Sequence, residues 1–139
     1  DLVDEGGVAQ VLDAVRRAGI VAVVDAGSRV GIETVPALER ASAIAIVCPV
    51  GANGRRGVAR VSGLLLRLGF ADRPVGIVAC RVWPHRRTDL RALAGAAELV
   101  RWGVVWESPS IARAARAGAP PPARPYAALV ASLTEVVGA

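Results

Sequence analysis

The chain has 139 residues, of which 53% are hydrophobic, and a formal net charge of +5. This length suits one domain with a substantial core, and the composition fits a buried parallel sheet flanked by helices. No apolar run approaches the ~20 residues that span a bilayer, and no signal-peptide pattern opens the chain. The two cysteines lie far apart, which argues against a disulfide scaffold and predicts a reducing, cytoplasmic setting.

All 17 basic residues are arginine, and lysine is absent. A Walker A loop needs a glycine-rich turn that ends in Lys followed by Ser or Thr, so this chain by itself cannot hold a triphosphate in the P-loop manner. Methionine is absent too. We therefore expect Asp1 to lie downstream of the natural translation start, in a processed product or a segment of a longer protein.

The first informative stretch follows a predicted helix over 2–17. Ile20 to Val24 form a short apolar run without polar alternation, which is typical of a strand buried on both faces. Asp25 would then stand at the carboxyl edge of the sheet, and Gly27 would allow a sharp turn or a close approach to phosphate. In nucleotide hydrolases such a carboxylate holds a Mg²⁺-bound water. Taken alone, the pattern favours the simpler interpretation, a turn or helix-capping aspartate.

The rest of the chain alternates between short apolar runs and helical spacing, which predicts a mostly parallel sheet in a three-layer α/β/α arrangement within one domain, 1–139. Four parallel strands are expected to end at Asp25, Pro49, Arg81 and Glu107. Thr88 and Ser108 are predicted helix N-caps, and the proline-rich run 119–125 is predicted to be an extended connector. The remaining predicted elements are helix 34–40, strand 43–47, turn 51–57, helix 58–68, strand 75–79, helix 88–99, strand 102–106, helix 109–117 and helix 126–137.

Several polar or reactive groups leave alternatives open. Cys48 and Cys80 end neighbouring predicted strands, but with His85 they make a poor zinc site, and small buried residues are the better interpretation. The tryptophans are candidates for stacking on a base, with burial against helices as the default. Two arginine patches would bind DNA phosphates or an acidic partner, or else form a solvated face. These patches are Arg55, Arg56 and Arg60, and Arg81, Arg86, Arg87 and Arg91.

Three motifs resemble the C-terminal part of the MinD/ParA family of deviant P-loop ATPases. VVDAGSRVGIE (23–33) resembles the second acidic motif of that family, and CRVWP (80–84) stands where the family has a Thr-Arg or Asn-Arg pair. WESPSIARAARAGAPP (106–121) resembles the family's Pro-Glu-Asp loop and the following helix, which ends in Gly-x-Pro. The resemblance covers nearly the whole chain and implies an incomplete P-loop-NTPase-like fold.

The resemblance also implies a nucleotide site at the carboxyl edge. It assigns Asp25 indirectly to the metal, together with Gly27, and it assigns Cys80 and Arg81 to the base. Glu107 and Ser108 would lie beside the base and ribose. The sequence departs from the family in three ways: the N-terminal P-loop third is missing, Cys80 replaces an adenine-reading amide or hydroxyl, and Trp106 replaces a proline. ATP and Mg²⁺ are therefore expected only where a P-loop region is supplied.

Two functions remain open at this stage. One is an ATPase, or its C-terminal portion, that dimerises on ATP to position a chromosome or plasmid, a septum component, or a secretion or pilus apparatus. The other is a catalytically silent relative that keeps the fold for dimerisation and partner docking, and the absence of lysine favours it for this chain alone. A DNA- or partner-binding regulatory module without a nucleotide is the alternative to both. Self-association or a partner chain is expected to cover the open sheet edge, DNA is a candidate partner, and a membrane is not expected.

Overall fold

The computed structural model describes residues 5–31, 34–70, 72–95 and 98–138. The chain divides into two compact units, Asp1–Ser42 and Ala43–Ala139. The expectation of one domain over 1–139 stays a prediction.

The described residues of the first unit form two α-helices, α1 (Glu5–Arg17) and α2 (Val35–Arg40), which pack against each other. Arg40 links them, because its Nε donates to Asp13 Oδ1 at 2.9 Å. That hydrogen bond from Arg40 is the main reason that the pKa of Asp13 lies below its ordinary value. The sequence predicts a short helix over 34–40, and α2 confirms it with Thr34 at the N-cap position and Pro36 in the first turn.

The predicted strand Ile20–Val24 is not formed. These residues have no regular secondary structure, and most of their apolar side chains are exposed, Val23 to 95%. A strand is held by hydrogen bonds to a neighbouring strand, and the described part of the first unit contains no strand that would provide them. The apolar run therefore has the composition of a buried strand without the pairing that a strand requires.

The second unit is built on a parallel sheet with the strand order β1 (Ile44–Pro49), β2 (Val75–Val82) and β3 (Val100–Trp106). Ile46 pairs with Ile77 between the first two strands, and Ala79 pairs with Val104 between the second and third. The parallel direction confirms the sequence prediction. The number of strands does not: the described residues form three strands rather than four, because the run that ends at Asp25 lies outside the sheet.

Helices lie on both faces of this sheet. Alternation along β1 buries Ile44, Ile46 and Cys48 on one face, where α3 (Ala52–Arg67) packs, and leaves Val47 exposed on the other. Val47 pairs with Val78, and Val78 pairs with Gly103, so these three residues lie in one row across the sheet. Gly103 packs against Leu129 of α6 (Ala127–Gly138). The helix α6 therefore covers the opposite face from α3, as a layered α/β/α fold requires. None of the described helices combines the length and apolar character needed to cross a bilayer.

The segment GANGRRG (51–57) was predicted to be a turn, and this is wrong. The helix α3 begins at Ala52 and runs through Asn53 and Gly54, with Gly51 at its N-cap. Gly54 is buried, and an ideal Cβ built on it would lie 1.8 Å from the carbonyl oxygen of Pro49. The missing side chain is therefore what allows the first turn of α3 to pass directly over the end of β1.

Of the two helix N-caps that the sequence predicts, one is wrong and one is confirmed. Thr88 is not an N-cap, because a 3₁₀ turn over Pro84–Arg86 leads directly into α4 (Arg87–Ala94), with Arg86 at the cap position. The predicted extension of this helix to residue 99 is also too long, because α4 ends at Ala94 and Gly95 is its C-cap; residues 96 and 97 lie outside the described part. Ser108 is the N-cap of α5 (Pro109–Arg116), as predicted, although its hydroxyl makes no capping hydrogen bond. The proline-rich connector ends in a second 3₁₀ turn, Arg124–Tyr126.

Alanine at Gly54 is expected to destabilise the fold, although alanine normally favours a helix by about 0.5–1 kcal/mol over glycine. The added Cβ would meet the Pro49 carbonyl, and overpacking of this kind costs about 1–3 kcal/mol. The matched control is Gly57→Ala in the same helix, where the Cβ would meet nothing within 4 Å. Denaturant midpoints should fall for the first variant and stay level or rise for the second; equal midpoints would contradict the close approach.

Candidate functional site

The end of β2 has an irregular backbone that determines where Arg81 lies. The register with β3 shifts between Ala79 and Val82, and Arg81 has a φ of 53°, in the left-handed region that a residue with a side chain adopts at a cost. An irregularity of this type redirects a side chain at the edge of a sheet and is frequent beside binding sites. The strand resumes at Val82, which is fully buried opposite Trp106.

The end of β3 is fixed against the end of β2. The backbone N–H of Glu107 donates to the carbonyl oxygen of Val82 at 2.8 Å, so Glu107 follows Trp106 directly beside the irregular segment. Ser108 then turns the chain into α5, with Pro109 at the first helical position. The Ser108 hydroxyl lies 2.7 Å from the Ser110 hydroxyl within this turn.

These two strand ends open into a cavity of about 270 Å³. Four of the residues that the resemblance assigns to the base and ribose line it together: Cys80, Arg81, Glu107 and Ser108. The carboxyl edge of a parallel sheet is where open α/β folds bind ligands. The other lining residues are Val105, Trp106, Ile111, Ala112 and Tyr126.

Asp25 and Gly27 belong to the first unit, so their position relative to this cavity stays a prediction. Their local geometry is that of a turn: the N–H of Gly27 donates to Asp25 Oδ1 at 2.8 Å, and Gly27 has a φ of 71°. An aspartate that caps a turn two residues ahead is the simpler of the two interpretations that the sequence allowed. Glycine is required here because of the positive φ.

Charged groups at the mouth of the cavity interact only weakly with each other. Arg81 Nε and Glu107 Oε2 lie 3.9 Å apart, and the Arg81 side chain is largely exposed. An exposed pair at this distance contributes little to stability, so both groups remain available to a ligand. Trp106 is held more firmly, because the Arg87 guanidinium lies over its ring at 5.5 Å from the centroid.

The two cysteines lie on neighbouring register positions, since Cys48 is the partner of Ala79 and Cys80 that of Pro49. Both thiols are free. Burial raises the pKa of Cys48 to about 11, with a smaller contribution from the nearby Cys80. Burial also raises the pKa of Cys80, against the lowering effect of Arg81. Both groups are therefore thiols at neutral pH, as the interpretation of small buried residues implies. Within the described ranges, no three His, Cys, Asp or Glu side chains gather into a possible metal site.

Three residues that close the cavity were not predicted from the sequence. Ile111 and Ala112 come from the inner face of α5, and Tyr126 comes from the turn that ends the proline-rich connector. One feature of the sequence points to Tyr126: this tyrosine, the only one in the chain, directly follows the proline-rich connector 119–125. A stiff connector of this type returns the chain to a defined place, which here is the end of β3.

The arginine patches and tryptophans lie in several environments. Arg55 and the exposed Arg56 and Arg60 lie along the first half of α3, and they do not line the cavity. Trp102 packs on Gly76, where an ideal Cβ would lie 2.2 Å from the indole ring, so for this tryptophan the default of burial is the better interpretation. Trp83, by contrast, is 53% exposed, and its ring lies against that of His85 with the centroids 6.4 Å apart.

Stability should fall as the pH rises from about 9 towards 11. An unfolded chain releases the Cys48 proton near pH 9, whereas the folded chain holds it up to about pH 11. The contribution of this thiol to the free energy of unfolding is therefore fully present below pH 9 and is lost as the pH rises to about 11. The chain has no lysine, so few other side chains change charge there. Denaturant midpoints between pH 8 and about 11 measure the slope. Cys48→Ala should reduce the slope to the part that the raised pKa of Cys80 contributes, and an unchanged slope would contradict the assignment to the Cys48 thiol.

No family model and no curated protein matches this sequence. Two solved structures have a similar fold. The MinD cell division protein of Aquifex aeolicus superposes with a TM-score of 0.74 at 17% identity, over 100% of this chain and 63% of that one. The MinC:MinD cell division protein complex of the same organism gives 0.71 at 15% identity, over 98% of this chain and 60% of that one. The chain thus spans about 60% of the MinD chains that it resembles, and its mixed α/β fold with a parallel sheet flanked by helices is similar to the fold of MinD.

Proposed function

We propose that this chain is a MinD-like positioning module whose second unit carries the base-and-ribose side of a nucleotide site. The observation that carries the proposal is the cavity at the ends of β2 and β3, where Cys80, Arg81, Glu107 and Ser108 meet. These residues come from two sequence segments that are separated by more than 25 positions. Only the parallel pairing of the two strands and the irregular end of β2 bring them together.

The lining of the cavity suits a planar base with polar edges. Trp106, Tyr126 and Ile111 supply aromatic and aliphatic surface, and Ser108 and Arg81 supply hydrogen-bonding groups at the rim. A volume of about 270 Å³ is slightly below the ~300–1,000 Å³ of sites that enclose a whole drug-sized ligand. The cavity therefore fits one part of a nucleotide, with the remainder lying outside it.

The phosphate side requires groups that this sequence does not contain. Bound ATP with Mg²⁺ would supply the transferable phosphoryl group, and a P-loop lysine normally offsets its charge. Lysine is absent here, so the proposal assigns phosphate binding to sequence outside this chain or to a partner chain. Under the same proposal, Asp25 would be the carboxylate that holds a metal-bound water where a P-loop region is supplied.

At the level of the whole protein, we propose spatial positioning through dimerisation and partner docking. The similarity to a MinD fold, including a MinD that was solved with its partner MinC, supports cell division as the first setting to examine. Partitioning of chromosomes or plasmids and placement of a secretion or pilus apparatus are the other settings that this proposal covers.

A purified sample of this chain should bind adenosine weakly and hydrolyse ATP negligibly. ATP should bind no more than a few-fold more tightly than adenosine, because no lysine in the chain meets the phosphates. Ala112→Leu, which fills the cavity, should abolish the binding of both ligands as measured by NMR titration. The matched control is Ala115→Leu on the same helix, at an exposed position outside the lining.

Three outcomes would contradict the proposal. Equal binding by the two leucine variants would show that the cavity is not the binding site. A large preference for ATP over adenosine would reveal a phosphate site within this chain. ATP turnover that is lost in Asp25→Ala would show that the chain is catalytically complete.

We also propose that the exposed apolar run 20–24 is covered in the assembled protein, by a second copy or a partner chain. An apolar patch of this type is a hazard for a free protein and is typical of an interface. Sedimentation velocity on the purified chain should show self-association at micromolar concentration, and Val21→Ser with Val23→Ser should reduce it. The control pair is Val130→Ser with Val137→Ser, exposed valines of α6. A stable monomer without an associated polypeptide would contradict this proposal.

A further inference from the structure

The carboxyl edge carries a second surface, next to the cavity, that the proposed function does not use. It consists of the first half of α3 and the 3₁₀ turn that precedes α4, and we call it the Trp83 surface. The two parts are adjacent, because an ideal Cβ on Gly51, the N-cap of α3, would lie 3.1 Å from Arg86 Nη2. Its members are Trp83, His85, Arg86, Arg56 and Arg60.

The unit that carries this surface is strongly cationic as a whole. The second unit, 43–139, contains 13 arginines against five carboxylates, a formal charge of +8, whereas residues 1–42 sum to −3. Asp89, which pairs with Arg86, is the acidic group that the first turn of α4 places here. Arg56 donates to the neutral Asn53, so its charge is not neutralised.

The positions of these arginines do not favour the fold. Arg56 and Arg60 are four residues apart and share a helix face, where like charges repel. The first turn of α3 contains no acidic residue and includes Arg55, so a cation stands at the positive end of this helix dipole, whereas at the start of α4 Asp89 accompanies Arg86 and Arg87. An arrangement that is unfavourable in the free protein is explained when a polyanion neutralises it.

The aromatic residues indicate which kind of polyanion binds this surface. Trp83 is 53% exposed three residues before Arg86, and its ring lies against His85 at an interplanar angle of 26°. Proteins bind single strands with two components, exposed aromatic rings and arginines. The rings stack on bases, and the guanidinium groups contact phosphates. A duplex offers no free base faces, and an acidic peptide would use the arginines alone.

We propose that the Trp83 surface binds single-stranded nucleic acid, with a base stacked on Trp83 and the backbone phosphates on Arg56, Arg60 and Arg86. This inference is independent of the nucleotide proposal, because Trp83 and these arginines lie outside the lining of the cavity. The contacts are to base faces and phosphates, which RNA and DNA share, and therefore carry little sequence preference.

The test measures fluorescence anisotropy of labelled oligothymidine and oligouridine of about 15 nucleotides, with the full chain, over a series of salt concentrations. The wild type should bind both strands several-fold more tightly than a duplex of the same length. Trp83→Ala should weaken binding by about tenfold, and Trp83→Phe should retain most of it, since loss of one stacked base typically has an effect of this size. The two strands should bind with similar affinity, because the proposed contacts are to groups that RNA and DNA share.

The arginines are tested by the salt dependence. Arg56→Gln with Arg60→Gln should lower the slope of log affinity against log salt by about 1.4, or about 0.7 for each phosphate contact to a single strand. Arg113→Gln with Arg116→Gln, two exposed arginines in the last turn of α5, removes the same charge elsewhere and should leave the slope unchanged. Thermal unfolding should show that the first pair is as stable as the wild type or more so, which separates lost binding from lost structure.

Four results would overturn the proposal: no binding of single strands at about 50 mM salt, equal affinity for the duplex, an unchanged affinity in Trp83→Ala, or tighter binding of polyglutamate than of oligothymidine. The last result would assign the surface to an acidic protein segment instead.

Discussion

The second unit depends on the burial of β2 between two parallel neighbours. Ile77, Ala79 and Val82 are fully buried and Val78 nearly so, which means that side chains on both faces of this strand are removed from water. Burying four such side chains contributes several kcal/mol, at about 25 cal/mol per Å² of apolar surface. The strand also makes backbone hydrogen bonds along both edges, to β1 and to β3. A change in β2 would therefore disturb both neighbouring strands and the helices that cover them.

The irregular end of this strand is tolerated because the residues around it are fixed. Arg81 adopts a left-handed conformation that costs about 1–2 kcal/mol, and it does so between the buried Ala79 and Val82. The hydrogen bond from Glu107 to Val82 then ties the end of β3 to the same place. The cost is met by the pairing on either side, and the result is a cavity whose walls come from rigid elements. Placement on rigid elements is what a binding site requires for precision.

Three glycines allow the helices and strands of this unit to approach one another closely. An ideal Cβ would meet the Pro49 carbonyl at Gly54, the Trp102 indole at Gly76 and the Leu129 side chain at Gly103. Each glycine thus marks a contact that the alternation of apolar residues does not reveal. The sequence suggested a turn at Gly54 because glycine is usually a turn residue, and the tertiary contact with Pro49 outweighed that preference.

The sequence predicted the parallel sheet, the helices and the cap at Ser108, because these features depend on local patterns of apolar and capping residues. Strand geometry also predicted that Arg81 and Glu107 lie at one edge, where the ends of parallel strands meet, and the family resemblance added Cys80 and Ser108 to the same place. The sequence did not predict Ile111, Ala112 or Tyr126, whose positions depend on how α5 and the connector return to β3. The prediction of a strand at Ile20–Val24 is wrong for a different reason. Apolar composition is a local property, whereas strand pairing requires a second backbone.

This difference between composition and pairing distinguishes the cavity from the turn at Asp25. The cavity is formed within the second unit, by strands that find their partners in the same chain. Asp25, by contrast, follows an apolar run that has the composition of a central strand and is exposed. Apolar residues are rarely kept exposed in such a continuous run unless something covers them, because the patch promotes association. We therefore expect whatever covers this run to act directly on Asp25, the next residue, so that pairing of the strand and positioning of the carboxylate would be one event.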